Sequence, residues 1–187
     1  MNCLRGALLI TAILVGQRAA FAAVDAGFQT GAVAGVDMPA LSPRLALGGV
    51  GHRMWSPLPP LALGLRGAVT MTSLSYGSND GEPVIGRTSG SNSAYFKDAL
   101  TVIPSLAVTA RWQPSDVVRA GVSAGAAFVV SSEMGGFSLF PQPTVGAELD
   151  VRIPRTSGLR ARAGADYLGP TLATGLLLFH VGLIWDL

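Results

Sequence analysis

The feature that most constrains the fold is a regular alternation of apolar and polar residues in the C-terminal half of the chain. Segment 144–153 reads TVGAELDVRI, and segment 159–167, LRARAGADY, repeats the same two-residue period. Segment 99–112, ALTVIPSLAVTARW, follows this period over most of its length. A period of two places the apolar side chains on one face of an extended strand and the polar ones on the other. These segments therefore predict β-strands with one apolar face.

The overall hydrophobicity indicates which surroundings these apolar faces meet. Hydrophobic residues make up 49% of the chain and charged residues only 13%, with a single lysine, Lys97. A soluble domain of this size normally carries more charge. Beyond the N-terminus, however, no segment reaches the roughly 18 uninterrupted apolar residues of a spanning helix. A membrane β-barrel reconciles the two observations, because its lipid-facing residues occupy alternate positions of many short strands.

The N-terminus has the pattern of a secretory signal peptide. Arg5 precedes an apolar stretch over residues 6–16, and an Ala-Phe-Ala sequence predicts cleavage after Ala22. The apolar stretch is about half as long as a membrane anchor would need to be. We therefore expect residues 1–22 to be a cleaved signal peptide and residues 23–187 to form one outer-membrane β-barrel domain.

The cysteine and charge content excludes several classes of function. The only cysteine, Cys3, precedes the apolar stretch, so the mature chain is expected to have no disulfide and no lipid-anchoring cysteine. Two of the 13 Lys and Arg residues, Arg5 and Arg18, belong to the signal, which leaves the mature chain balanced against 11 Asp and Glu residues. This balance gives no reason to expect a nucleic-acid partner. No His and carboxylate cluster has a ligand spacing, so we expect no metal and no cofactor.

Weaker alternation in other segments brings the number of predicted strands to eight. These segments are 24–36, 44–55, 61–76, 117–131 and 174–187. The second of them loses its phase near Gly48 and Gly49, which predicts a bulge there. The turns at 56–60, 113–116 and 154–158 are short and rich in turn formers, whereas the intervening connections include one long polar segment, 78–98, and modest ones at 38–43, 134–142 and 169–173. Short periplasmic turns and longer external loops are typical of outer-membrane barrels. The sequence thus predicts an all-β, eight-stranded antiparallel up-and-down transmembrane β-barrel.

Aromatic residues lie at the ends of the predicted strands. Trp55, Trp112 and Trp185 all end strands that run towards the periplasm. Four other aromatic residues lie near the opposite strand ends: Tyr76, Tyr95, Phe96 and Tyr167. Amphipathic rings concentrate at membrane–water interfaces. We therefore expect two aromatic girdles, the alternative being a soluble β-sandwich with these rings in its core.

The last eight residues, HVGLIWDL, carry a family resemblance. They place a polar residue at His180, glycine at Gly182, an aromatic residue at Trp185 and a hydrophobic end at Leu187. This resembles the C-terminal β-signal by which outer-membrane barrels are recognised for assembly, although the usual last residue is aromatic. With the signal peptide and the strand pattern, the mature chain resembles the OmpA/OmpX-type superfamily of small barrels. The resemblance implies a bacterial outer-membrane location, contact with outer-membrane lipid and lipopolysaccharide, and insertion by the outer-membrane assembly machinery.

The polar faces of the predicted strands define the interior of the barrel. The ionisable residues on these faces are Asp25, Arg66, Arg111, Arg119, Glu148, Asp150, Arg152, Arg160, Arg162, Asp166, His180 and Asp186. Eight strands leave an interior only about wide enough for side chains to fill. Buried ions are costly unless they are paired, and the planar guanidinium of arginine suits carboxylate partners. We therefore expect an ion-paired network that plugs the lumen, with inward-facing glycines making room for it.

Three functions are compatible with such a barrel. The main hypothesis is a structural or surface-interaction protein without enzymatic activity, whose binding surface is the external connection 78–98. The alternative is a narrow conduit for small apolar molecules, suggested by Val129, Leu176, Leu178 and Ile184 on inward positions, although these residues also suit packing at the barrel ends. A lipid-modifying enzyme is less favoured, because His52 lies near the periplasmic end and Ser73 and Ser75 near the outer end, too far apart to cooperate.

Overall fold

The computed structural model describes residues 23–35, 44–58, 60–79, 82–85, 97–133, 136–169 and 175–187. These residues form nine β-strands: β1 (Ala23–Gly35), β2 (Arg44–Leu58), β3 (Leu61–Asn79), β4 (Glu82–Ile85), β5 (Lys97–Trp112), β6 (Val118–Glu133), β7 (Gly136–Arg152), β8 (Leu159–Leu168) and β9 (Leu176–Asp186). The predicted signal peptide, Tyr95 and Phe96 lie outside the described residues. No helix in the described ranges is long and apolar enough to cross a membrane.

Eight of the strands close into a ring. Each is antiparallel to its neighbours, in the order β2-β1-β9-β8-β7-β6-β5-β3, and β2 pairs with β3 to complete the ring. The short strand β4 pairs with the outer end of β3 and lies outside the ring. Closure pairs the backbone N–H and C=O groups of the wall within the protein, which a lipid environment requires. The predicted eight-stranded antiparallel barrel is confirmed.

The two faces of each strand meet different surroundings. On β5, Leu106 and Val108 are more than 60% exposed on the outer surface, whereas Thr109 and Arg111 are almost fully buried inside. The same alternation runs along β7 and β8. The barrel therefore presents an apolar outer surface and a polar interior, the reverse of a soluble protein and the pattern expected of a wall surrounded by lipid.

The second strand departs from the prediction. Its pairing with β3 is continuous from Ala46 to Trp55, and the irregularity in register falls between Trp55 and Leu58. The bulge expected at the two adjacent glycines is therefore wrong. These glycines hide the alternation in the sequence because neither carries a side chain that marks its face. With the phase unbroken, His52 lies on the inner face and is 3% exposed.

The wall is taller on one side than on the other. Residues 136–143 of β7 pair with β6 but with no described residue of β8. Residues 73–79 of β3 continue beyond its last pair with β2. Strands β4, β3, β5, β6 and β7 consequently form a sheet that projects past the outer ends of the other strands. The connection predicted at 134–142 is thus mostly strand, a correction to the sequence analysis.

Two prolines, Pro141 and Pro143, lie in this part of β7. The carbonyl oxygen of Pro143 accepts a hydrogen bond from the N–H of Gly169 at 2.8 Å, so alternate residues of β7 direct their backbone towards the β8 side. Pro141 has the same orientation, and neither proline has an N–H to donate. Proline is therefore tolerated at this edge and deprives it of donors that a foreign strand would use.

The interior is layered along the barrel axis. A group of buried apolar residues packs together towards the outer end: Val33, Ala46, Leu74, Ile103, Ala127, Val129, Leu168, Leu176 and Leu178. The buried residues closer to the periplasmic end are mostly ionic. Val50, Ala68 and Ile184 form a smaller apolar group among them. The outer apolar layer thus separates the ionic interior from the projecting sheet.

Candidate functional site

Six buried ionisable residues form a central cluster in the lumen: Asp25, His52, Arg111, Glu148, Asp150 and Arg162. Arg162 donates from Nε and Nη2 to the two carboxylate oxygens of Asp150, at 2.6 and 2.8 Å. Its Nη1 lies 3.0 Å from Oε2 of Glu148. Two parallel charge-assisted hydrogen bonds to one carboxylate are among the strongest polar contacts in proteins. Arg162 is therefore a firmly held member of the cluster.

Glu148 joins the two halves of the central cluster. Arg111 donates from Nη1 to Asp25 at 2.7 Å and from Nη2 to Glu148 at 3.1 Å. The ring of His52 lies between the same two carboxylates, with Nδ1 3.3 Å from Asp25 and Nε2 3.3 Å from Glu148. Each ion thus has several partners of opposite or neutral charge, as burial of charge requires.

Cross-strand register explains why these residues meet. Asp150 on β7 stands directly opposite Arg162 on β8, and Asp25 on β1 stands opposite His52 on β2. Directly opposed residues in an antiparallel pair have Cβ atoms only about 5 Å apart. Because all four side chains are on the inner face, the two pairs also approach each other across the narrow lumen.

A second group, the outer cluster, consists of Arg66, Asp166 and His180. Arg66 donates from Nη1 and Nη2 to the two carboxylate oxygens of Asp166, at 3.2 and 2.7 Å. Nε2 of His180 lies 3.3 Å from the same carboxylate. Nε of Arg66 is 3.7 Å from Glu148, which links the outer cluster to the central one.

A third group, the periplasmic cluster, consists of Arg119, Arg160 and Asp186. Arg119 donates to both oxygens of Asp186, at 2.6 and 3.1 Å, and Nε of Arg160 donates to it at 3.1 Å. Nη2 of Arg160 also donates to the backbone carbonyl of Asp116 at 3.0 Å. The side chain of Asp186 is 33% exposed, so this cluster borders the periplasmic solvent.

Inward-facing glycines provide the space that the ionic side chains occupy. A Cβ atom at Gly146 would lie 2.0 Å from Oδ1 of Asp166. A Cβ at Gly164 would lie 2.5 Å from Cε1 of His180. Neither distance is compatible with van der Waals contact, so a Cβ at either position would force the neighbouring ionic side chain to shift.

The structure places nearly all of the predicted lumen residues in these three clusters. Arg152 is the exception: it is exposed at the end of β7, and no described side chain forms an ion pair with it. Its position in the alternation is inward, but the strand ends there, so the expectation that Arg152 lies in the lumen is wrong. Sequence analysis missed His52, although the alternation of β2 would have identified it had the glycines not obscured the phase.

The structure describes the side chains of some of the predicted girdle residues but not of all. Trp55, Trp112 and Trp185 are between 38% and 53% exposed on the outer surface near the periplasmic end. Tyr167 is partly buried towards the outer end of β8. The side chain of Tyr76 lies outside what the structure describes. The two girdles and the C-terminal assembly signal remain predictions.

The three clusters place ions in the lumen whose positive and negative charges balance. Arginines and carboxylates are equal in number across the three clusters, and the two histidines lie against carboxylates. Ser73 belongs to the outward-facing set of β3, so it does not face the ring of His52. The described residues include no group of ligand-type side chains that could hold a metal ion.

Solved structures of bacterial barrels have a similar fold. Ail, the attachment invasion locus protein of Yersinia pestis, matches with a TM-score of 0.54 and 10% identity, covering 89% of this chain and 97% of that one. Neisserial surface protein A matches with a TM-score of 0.51 and 11% identity, covering 88% and 96%. The N-terminal β-barrel domain of Pseudomonas aeruginosa OprF matches with a TM-score of 0.50 and 15% identity, covering 87% and 97%.

These similarities concern the fold. No protein-family model and no curated protein matches the sequence. The structural resemblance nevertheless covers most of the chain and nearly all of each neighbour. The expected likeness to small OmpA/OmpX-type barrels is therefore confirmed at the level of fold.

Proposed function

We propose that this chain is an outer-membrane scaffold with a closed lumen, and that its function resides at its outer surface. The observation that carries the proposal is the succession of ion pairs and buried apolar side chains along the interior. Ionic clusters extend from Asp186 at the periplasmic end to His180, and the buried apolar layer lies beyond them. A barrel filled in this way supports a projecting sheet while offering no path through its centre.

The ionic filling is costly to open. Removing one partner from a buried pair leaves an uncompensated charge, which typically costs about 3–5 kcal/mol. A solute crossing the lumen would have to separate Arg66 from Asp166 and Arg111 from Asp25, two pairs that join strands which are not neighbours in the ring. This supports a plug rather than a gate that opens readily.

The apolar interior supports the same proposal against a conduit for small apolar molecules. Val129, Leu176 and Leu178 are at most 6% exposed and pack against one another and their neighbours. Ile184 packs separately with Val50 and Ala68. The two apolar groups are not in contact with each other, so the apolar residues do not line a continuous path.

The outer surface offers the features of a binding site. Strand β4 pairs residues 82–85 with residues 76–79 of β3, so part of the connection 78–98 extends the projecting sheet. External loops on a rigid scaffold carry binding more often than the scaffold itself. We assign recognition to this connection together with the sheet that supports it, and we propose no catalytic role.

The experiment is a replacement of residues 79–93 by a short Gly/Ser turn in the full-length protein. Binding of intact bacteria to host cells, extracellular matrix and envelope proteins is compared between the parent and this variant. A matched control replaces residues 36–43, the connection between β1 and β2. Faster gel migration before boiling than after boiling verifies that each barrel is folded, because a closed barrel resists detergent.

The expected result is loss of surface binding in the 79–93 variant alone, with folding unchanged. Full binding by that variant would exclude the connection as the recognition surface. Loss of binding in both variants would show instead that recognition requires several connections acting together.

A further inference from the structure

Arg53 is an exception on the outer wall. Among the described side chains of the eight ring strands, Arg53 is the only charged one that lies within the wall and faces outward. Its directly opposed neighbours are Val24 on β1 and Leu65 on β3, both apolar and more than 40% exposed. Charged side chains on the lipid-facing surface of a barrel are destabilising except near the interfaces. The depth of Arg53 along the wall and its contacts therefore decide how its charge is accommodated.

The guanidinium of Arg53 is stacked but otherwise unpartnered. Its Cζ lies 5.7 Å from the ring centroid of Trp55, within the range of a cation–π contact. No described residue forms a hydrogen bond or an ion pair with it. With no hydrogen-bond acceptor among the described residues, the N–H groups of the guanidinium remain free to donate to an acceptor from outside the protein.

The position along the barrel identifies the class of acceptor. Trp55, like Trp112 and Trp185, is exposed at the periplasmic end of the wall, where amphipathic rings mark the membrane interface. The anionic groups present at that depth are lipid phosphates, and two oxygens of a phosphate match the paired donors of arginine. We propose that Arg53, stacked on Trp55, binds the phosphate of a phospholipid in the periplasmic leaflet. This inference rests on the membrane location in the proposed function.

The test is lipid retention by the refolded barrel. Parent, Arg53→Gln and Arg53→Lys proteins are equilibrated in detergent with phosphatidylglycerol, and the ratio of lipid-bound to lipid-free protein is measured by native mass spectrometry. Arg155→Gln is the matched control, because Arg155 is an exposed arginine in the turn between β7 and β8 with no described ring partner. A diacyl galactolipid without phosphate serves as the second probe.

We expect Arg53→Gln to retain phosphatidylglycerol about tenfold less than the parent, since it loses charge-assisted hydrogen bonds. Arg53→Lys should show an intermediate loss, because lysine lacks the planar paired donors. Arg155→Gln should behave like the parent, and the galactolipid should not discriminate among the variants. Equal retention by the parent and Arg53→Gln would overturn the proposal, as would equal losses in Arg53→Gln and Arg155→Gln.

The two hypotheses fail in different ways. If the parent migrates identically on a detergent gel before and after boiling, the membrane barrel itself is contradicted. If the barrel migrates as a folded species but Arg53→Gln retains phosphatidylglycerol normally, only the phosphate site is overturned.

Discussion

Replacement of Arg162 by alanine tests the energetics of the lumen directly. The side chain is buried and contributes two hydrogen bonds to Asp150 and a contact of 3.0 Å with Glu148. Without it, the nearest cation to Asp150 is Arg111, at 3.8 Å. Breaking a buried pair in this way typically costs about 3–5 kcal/mol, and we expect the free energy of unfolding of R162A to fall by that amount.

Replacement of Arg160 provides a matched comparison on the same strand. Arg160 is two residues away and faces the same interior, but its carboxylate partner Asp186 is 33% exposed and keeps two hydrogen bonds from Arg119. In R160A the carboxylate of Asp186 therefore stays paired with Arg119 and in contact with water. We expect R160A to cost only about 1–2 kcal/mol, mainly for lost hydrogen bonds.

The assay is equilibrium unfolding in urea of the mature protein refolded into lipid vesicles, followed by gel migration and tryptophan fluorescence. The ordering, with R162A clearly less stable than R160A, matters more than either value. Equal stabilities for R160A, R162A and the parent would refute the reasoning, because they would mean that water enters the lumen and solvates the stranded carboxylate.

Two further predictions use the same assay. Gly146→Ala should lower the free energy of unfolding, because its Cβ would lie 2.0 Å from a carboxylate oxygen of Asp166. The control Gly67→Ala should leave stability nearly unchanged, since no atom lies within 4 Å of the added Cβ. Similar losses for both variants would contradict the proposed packing. Leu149→Arg, on the outer surface, should cost about 2–4 kcal/mol if the site lies near the bilayer midplane. A stability equal to that of the parent would place Leu149 outside the hydrocarbon.

The fold and most of the lumen were predictable because a barrel wall obeys a simple rule. Alternation assigns each side chain to one of two faces, and in β7 and β8 it indicated inward positions for Glu148, Asp150 and Arg162, which are buried in the structure. It failed where the wall ends, at Arg152, because alternation gives the direction of a side chain but not the depth at which a strand leaves the barrel.

Two features could not be predicted from the sequence, and the reasons are physical. Adjacent glycines in β2 carry no side chains, so the face of His52 was lost although its backbone pairing is regular. The connection predicted at 134–142 lies largely in β7, which pairs there with β6 but with no described residue of β8, so the missing N–H of Pro141 costs little. In both cases the pairing of neighbouring strands decided the outcome, and pairing is not visible in one segment alone.

The most direct measurement of a closed lumen is single-channel conductance of the refolded mature protein in a planar lipid bilayer. Insertion is verified beforehand by the change in gel migration on boiling. Because paired ions and a buried apolar layer fill the interior, we predict that the inserted parent protein gives no sustained conductance in 1 M KCl, whereas a large porin included as a positive control does. A stable, ohmic conductance from the parent protein, proportional to the amount inserted, would contradict the account.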